Sequence, residues 1–145
     1  MKPWIWLGLL SAVFAALVGV VGKRGLEAVD PTLSTAVRAV VMAVLLVLLA
    51  AALGKTSGLS AIPRSALLWI VLSGACGAAS WICYYWALRF GEAGGVAAVD
   101  RLSVVFALLL AALILRERLT PFKLLGGVLI VLGALLIIRD AKPPR

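Results

Sequence analysis

Five apolar segments, at about residues 4–22, 32–53, 66–88, 93–115 and 121–138, take up most of this chain. Each is close to the roughly 20 residues that a helix needs to cross a bilayer. In hydrocarbon, every backbone N–H and C=O must be satisfied within the protein, and a single apolar run of this length does that as an α-helix. The pattern predicts an all-α integral membrane protein, a bundle of five transmembrane helices in one domain over residues 1–145. The apolar fraction of 64% and mean hydropathy of +1.16 lie outside the range of soluble domains. Lys2 imitates the start of a signal peptide, but the apolar run after it is too long for one, and four more follow.

In a lipid setting, the formal charge of +8 takes on a different meaning. On a soluble chain it would point to nucleic acid. Here the basic residues lie mostly between apolar runs, where they meet headgroups and fix topology. No basic stripe with interleaved aromatics is present, so a nucleic-acid partner is not expected. The chain has no His, which removes the commonest general base and metal ligand. Cys76 and Cys83 lie about 10 Å apart along one helix, too far to bridge. Without His they make no zinc site. No nucleophile–base pair or acidic cluster is visible, so neither an enzyme nor a metal or cofactor is expected.

The charges that do fall inside apolar segments are the informative ones. Arg38 lies in the second helix, one turn after Ser34 and Thr35, and Asp100 and Arg101 lie in the fourth. A charge at the centre of a membrane helix costs roughly 2.5–3.5 kcal/mol on insertion scales. That cost has to be met by a partner, by water in a cavity, or by function. Helices two and four enter from the same side, which puts Arg38 and Asp100 both about 9–11 Å deep. Opposite charges at matching depth are natural partners, so a pair, or a shared wet cavity, is expected. Arg38 can instead snorkel to the nearby headgroups. Arg101 points about 100° away from Asp100 on a regular helix and needs a different partner, as a structural charge.

The other polar features are milder. Ser73, Gly77, Ser80 and Tyr84 form one stripe on the third helix, and Gly74, Ala78, Trp81 and Tyr85 form its neighbour. The cluster Trp81, Tyr84, Tyr85 and Trp86 reads either as an interfacial aromatic belt or as the wall of a ligand cavity. Arg89 to Glu92 makes a tight turn, so helices three and four are antiparallel neighbours. Pro31 suits a helix start, and Thr120 with Pro121 looks like an N-cap and first helical residue. Gly8, Ala12, Ala15 and Gly19 in the first helix, and Gly126, Gly127 and Gly133 in the last, are close-packing points.

Lys and Arg in the loops and tails divide six against six between the two sides of the membrane, the basic tail Arg139–Arg145 included. The positive-inside rule then gives no clear orientation. A chain without an orientation signal can insert both ways, and two opposed copies form an antiparallel dimer. Five spans per copy give ten, related by a pseudo-two-fold axis in the membrane plane, which is an inverted-repeat transporter architecture.

Arg38, the run YYWALRFGEAGGVAAVDRLSVVFALLLAALILRERLT and the glycine-rich GGVLIVLGALLII resemble an EamA domain, the five-helix repeat of the drug/metabolite transporter superfamily. The resemblance covers nearly the whole chain and is most specific at ALRFGEAGGVAAVDRLS and LRERLT. It is to the short, single-repeat bacterial and archaeal members; larger members carry two inverted repeats and ten helices. Many relatives have Pro in helix four where VDRLS stands here. The four-helix small multidrug resistance branch uses a Glu in its first helix, and this chain has no acid there. The resemblance implies a multi-pass solute carrier in the bacterial or archaeal cell (inner) membrane, with a central cavity lined chiefly by helices one to four and a more peripheral fifth helix.

The function expected is secondary transport or export of a small metabolite by alternating access, as an antiparallel homodimer. The alternative is an accessory or structural half-subunit that pairs with a different half-size membrane protein. The substrate-binding set expected is Arg38, Ser80, Trp81, Tyr84, Asp100 and Ser103. Arg38 would meet an anionic group of the solute; Asp100 would meet an amine or hold Arg38.

Overall fold

The computed structural model describes residues 2–141, so Lys142 and Arg145 of the basic tail lie outside the described residues. Six α-helices follow in order: α1 (Pro3–Gly25), α2 (Pro31–Ala52), α3 (Arg64–Phe90), α4 (Ala93–Asp100), α5 (Ser103–Ile114) and α6 (Pro121–Asp140). A short 3-10 helix, Thr56–Ala61, lies between α2 and α3. Among the described residues there is no β-strand. Five stretches are long and apolar enough to cross a membrane, with mean hydropathies of 1.8 to 2.4; α4 and α5 together make the fourth, Ala93–Ile114. Large apolar side chains are exposed along all of them, Trp69 to 70% and Leu113 to 77%. Helices apolar all round require lipid as their solvent.

The helix ends follow local chemistry. Asp30 caps α2, its carboxylate accepting from the N–H groups of Thr32 at 2.8 Å and Leu33 at 3.2 Å. Pro31 follows at the first helical position, where a missing N–H costs nothing. The far end of α2 closes on Gly54, whose φ of +65° needs no Cβ penalty. There the N–H of Gly54 bonds the Ala51 carbonyl and that of Lys55 the Ala50 carbonyl, a Schellman closure. Thr120 caps α6 through the N–H of Lys123, with Pro121 behind it. Between α5 and α6, Arg116 takes the left-handed region at φ 55° without being glycine.

Packing divides the chain into two units. One comprises residues up to Arg24 and from Ala87 onward, the other Gly25–Trp86. In the first, α6 lies along α4 and α5. Small residues set the spacing, as expected where helices approach closely in lipid. Gly127 is buried, and a Cβ there would sit 3.8 Å from Leu108 and 3.9 Å from Val105. Gly95 faces Ala141, with 3.2 Å left for a Cβ. Lys23, at the end of α1, donates its Nζ to the carbonyls of Leu88 at 2.5 Å and Gly91 at 2.6 Å. The Leu88 carbonyl belongs to the last turn of α3, where carbonyls have no helical N–H to accept from, and Gly91 lies just past the helix end. That anchorage is a physical reason for α3 to continue to Phe90, beyond the apolar run.

The fourth span departs from the continuous helix that its hydropathy predicts. It is interrupted at Arg101–Leu102, between α4 and α5. The bonds there tighten to the 3-10 pattern: Leu102 N–H to Val99 C=O at 2.9 Å, Val104 to Arg101 at 3.1 Å and Val105 to Leu102 at 2.9 Å. Adjacent residues of a regular α-helix do not face each other, yet Arg101 and Asp100 form an ion pair at 2.8 Å. The expectation that Arg101 needs a partner other than Asp100 is thereby corrected. It rested on the 100° step of an unbroken helix.

Candidate functional site

In the unit Gly25–Trp86, α2 and α3 line a cleft of about 670 Å³, within the range of small-molecule sites. The helical period supplies its walls. Thr32, Thr35, Ala39 and Ala43 recur at three- and four-residue steps on α2, and Gly74, Ala78 and Trp81 do so on α3. Glycine and alanine keep the walls thin, which opens the volume. Thr32 and Thr35 supply hydroxyls at one end: Thr35 donates its proton to the Pro31 carbonyl at 2.8 Å, whereas Thr32 is an acceptor, from Trp86 Nε1 at 3.3 Å.

One charged side chain lines this cleft. Arg38 is half-buried, and its guanidinium carbon lies 3.4 Å from the ring centre of Trp81 and 5.6 Å from that of Tyr85. It is therefore turned across the cleft onto α3. Snorkelling to the headgroups, the alternative open to the sequence, is not the conformation found. A desolvated cation over an aromatic face is stabilised by about 2 kcal/mol or more. For the half-buried Arg38 the contact is worth about 1–2 kcal/mol, which offsets part of an insertion cost of about 2.5–3.5 kcal/mol. The rings also hold each other: Trp81 meets Tyr84 edge-on at 5.6 Å and Tyr85 at 6.0 Å. Tyr85 is buried, at 3% exposure. The aromatic cluster thus splits. Trp81 and Tyr85 form the wall under Arg38, while Trp86 is exposed with its Nε1 bonded to Thr32.

Of the residues expected to bind substrate, the structure brings Arg38 and Trp81 together in the cleft lining, while Tyr84 meets the edge of the Trp81 ring without lining the cleft. Ser80 is exposed on α3 and is not part of the cleft lining. Asp100 and Ser103 belong to the other unit, where Ser103 is the exposed first residue of α5 and Asp100 is half-buried beside Arg101. Each of the two charges expected to pair has a partner in its own unit: the aromatic face for Arg38, the Arg101 guanidinium for Asp100. Tyr85, noted in the aromatic cluster, and Thr35, noted one turn before Arg38, stand outside the expected substrate-binding set, although Tyr85 shares its helical stripe with Trp81. Cys76 and Cys83 are free and exposed on α3, and the described residues hold no His, Cys, Asp and Glu grouping fit for a metal ion.

Residues 2–139 match the model of the EamA-like transporter family. The chain is also similar to a Sinorhizobium sp. protein described as "Uncharacterized transporter in cobO 3'region". The two are 38% identical over 136 residues, covering 94% of this chain and 96% of the relative. No solved structure matches.

Proposed function

The chain belongs to the EamA-like transporter family, and from that premise we propose that it carries a small metabolite across the bacterial inner membrane by alternating access, as an antiparallel homodimer. The observation that carries the transport reading is the α2–α3 cleft with Arg38 held inside it on Trp81. An ionised side chain facing a solute-sized space within an apolar chain is a functional feature by default. The dimer reading rests on five spans per copy and on loop charges balanced between the two sides. Two opposed copies supply the ten helices and the in-plane pseudo-two-fold that alternating access uses.

The test is made in native membranes and in liposomes. Single cysteines or protease sites placed at each end should be accessible from both faces in comparable amounts. Crosslinking should join copies with opposed termini. Liposomes loaded with a candidate solute should show counterflow that an inactive cleft variant lacks. A single orientation for every copy refutes the antiparallel homodimer and leaves the accessory half-subunit, paired with a different partner, as the reading to pursue.

A further inference from the structure

We propose that the α2–α3 cleft is built for a singly charged, amphipathic organic carboxylate, bound head-first to Arg38. This rests on the transporter reading above and gives it a substrate class. Three observations carry it. First, the cleft lining holds one charge, and it is positive. The acids of this unit are Glu27 and Asp30, and Asp30 is occupied in capping α2. Neither lines the cleft. A cationic solute would meet repulsion there with no counter-charge.

Second, the seat of Arg38 leaves its donors available. At 3.4 Å from the Trp81 ring centre, only the flat face of the guanidinium fits against the ring. Its five N–H donors radiate from the edge of that plane. A carboxylate can take two of them in a fork while the ring contact persists, the geometry in which Arg binds carboxylates best. The aromatic face holds the cation in place without consuming the bonds that would recognise an anion.

Third, the rest of the wall asks for a hydrocarbon body. Beyond Arg38 and the two threonines at one end, the cleft is lined by Ala39, Ala43, Gly74, Ala78 and similar side chains, around about 670 Å³. A small inorganic anion would leave most of that space unfilled, and a polyol or zwitterion would leave polar groups unpaired at about 1–3 kcal/mol each. An aryl- or alkyl-carboxylate fills it with apolar contact.

The test is equilibrium binding of 4-phenylbutyrate to the purified full chain in phosphatidylcholine nanodiscs. Its amide and 4-phenylbutylamine serve as size-matched neutral and cationic probes. The carboxylate should bind at least tenfold tighter than either. Arg38→Gln should remove that advantage, and Arg38→Lys should keep part of it. Because the probe comparison needs no variant, a misfolded Arg38→Gln does not rescue the idea. Binding of the amide or amine as tight as that of the carboxylate overturns it, as does no binding by any probe. A second arm uses discs containing phosphatidylglycerol. If this lipid displaces the carboxylate, the positive site belongs to a lipid headgroup and the proposal fails. Carboxylate-selective binding without counterflow would sink the transporter reading and leave this inference intact. Counterflow of an amine unaffected by Arg38→Gln would do the reverse.

Discussion

The contact between Arg38 and Trp81 can be measured by a double-mutant cycle with Arg38→Met and Trp81→Leu. Met keeps the length of the side chain without its charge, and Leu keeps apolar bulk without the ring quadrupole. Exposed cation–π contacts are worth about 0.5–1 kcal/mol and desolvated ones about 2 or more. Arg38 is half-buried, with a second ring, that of Tyr85, at 5.6 Å. A coupling of about 1–2 kcal/mol follows. The single variants should differ in sign. Arg38→Met removes a charge from an apolar cleft and should be near neutral, or stabilising, because embedded charges are often replaced by apolar groups without loss. Trp81→Leu leaves the guanidinium facing hydrocarbon and should destabilise by the full coupling. On the Arg38→Met background the same Trp81→Leu change should cost little beyond lost packing. Reversible denaturant unfolding in one micelle type gives the four stabilities. If Trp81→Leu costs the same in both backgrounds, within the 0.3–0.5 kcal/mol expected of independent sites, the rings do not hold the charge and the account of the cleft is wrong.

Four further outcomes follow from the helix ends, each read by unfolding in the same micelle. Lys23→Met should destabilise by about 1.5–3 kcal/mol, the range for hydrogen bonds to charged groups, since Nζ serves two carbonyls at the end of α3; Lys23→Arg should recover part of this, and a neutral result for Met would mean the contacts carry no net energy. Asp30→Ala removes the acceptor for two N–H groups of α2 and should cost about 1 kcal/mol, with Asp30→Asn close to unchanged. Gly54→Ala forces a Cβ into φ +65° and should cost about 1 kcal/mol, although the surrounding space is open; no loss would show that the α2 closure rearranges freely. Arg116→Gly relieves the same conformational penalty at φ 55° and should gain up to about 1 kcal/mol; a loss would indicate that the Arg116 side chain contributes more than its backbone costs.

The five spans were legible because the bilayer leaves a long apolar run no alternative to helix. Starts were legible wherever proline follows an oxygen-bearing side chain, as at Asp30–Pro31 and Thr120–Pro121. The ends of α1 and α3 were not. Hydropathy stops at the last apolar residue, whereas helical hydrogen bonding runs on through Lys23, Arg24 and Arg89. Lys23 itself reads in the sequence as a loop charge, and only the fold reveals the carbonyls of Leu88 and Gly91 within its reach. The site was half legible. Arg38 and Trp81 were both identified, but their contact was not. Depth carried that signal: Arg38 lies seven residues after the start of α2, and Trp81 nine residues before the end of α3. At 1.5 Å per residue, these are about 10 and 13 Å along consecutive helices. The sequence offers Arg38 an opposite charge, a wet cavity or the headgroups, and the ring at nearly the same level on α3 is a fourth recourse that only the fold reveals.

The seat of Arg38 and the break in the fourth span share one physical feature. On a regular membrane helix, an ionised group finds a counter-charge a turn away or on another helix, not on its neighbour in sequence. The chain deals with its embedded charges otherwise. For Arg38 it uses polarisable ring faces, which lower the energy of a cation without burying an anion. For Asp100 and Arg101 it changes the helix. A 3-10 turn at the joint of α4 and α5 lets neighbours in sequence close an ion pair at 2.8 Å. The same turn keeps the N–H groups of Leu102, Val104 and Val105 bonded three residues back, so the interruption leaves them satisfied in hydrocarbon. Two charges that would each cost about 2.5–3.5 kcal/mol separately thus become one local dipole, needing nothing from another helix. Within the unit Gly25–Trp86, the cleft lining carries one ionised side chain, Arg38, and no carboxylate beside it.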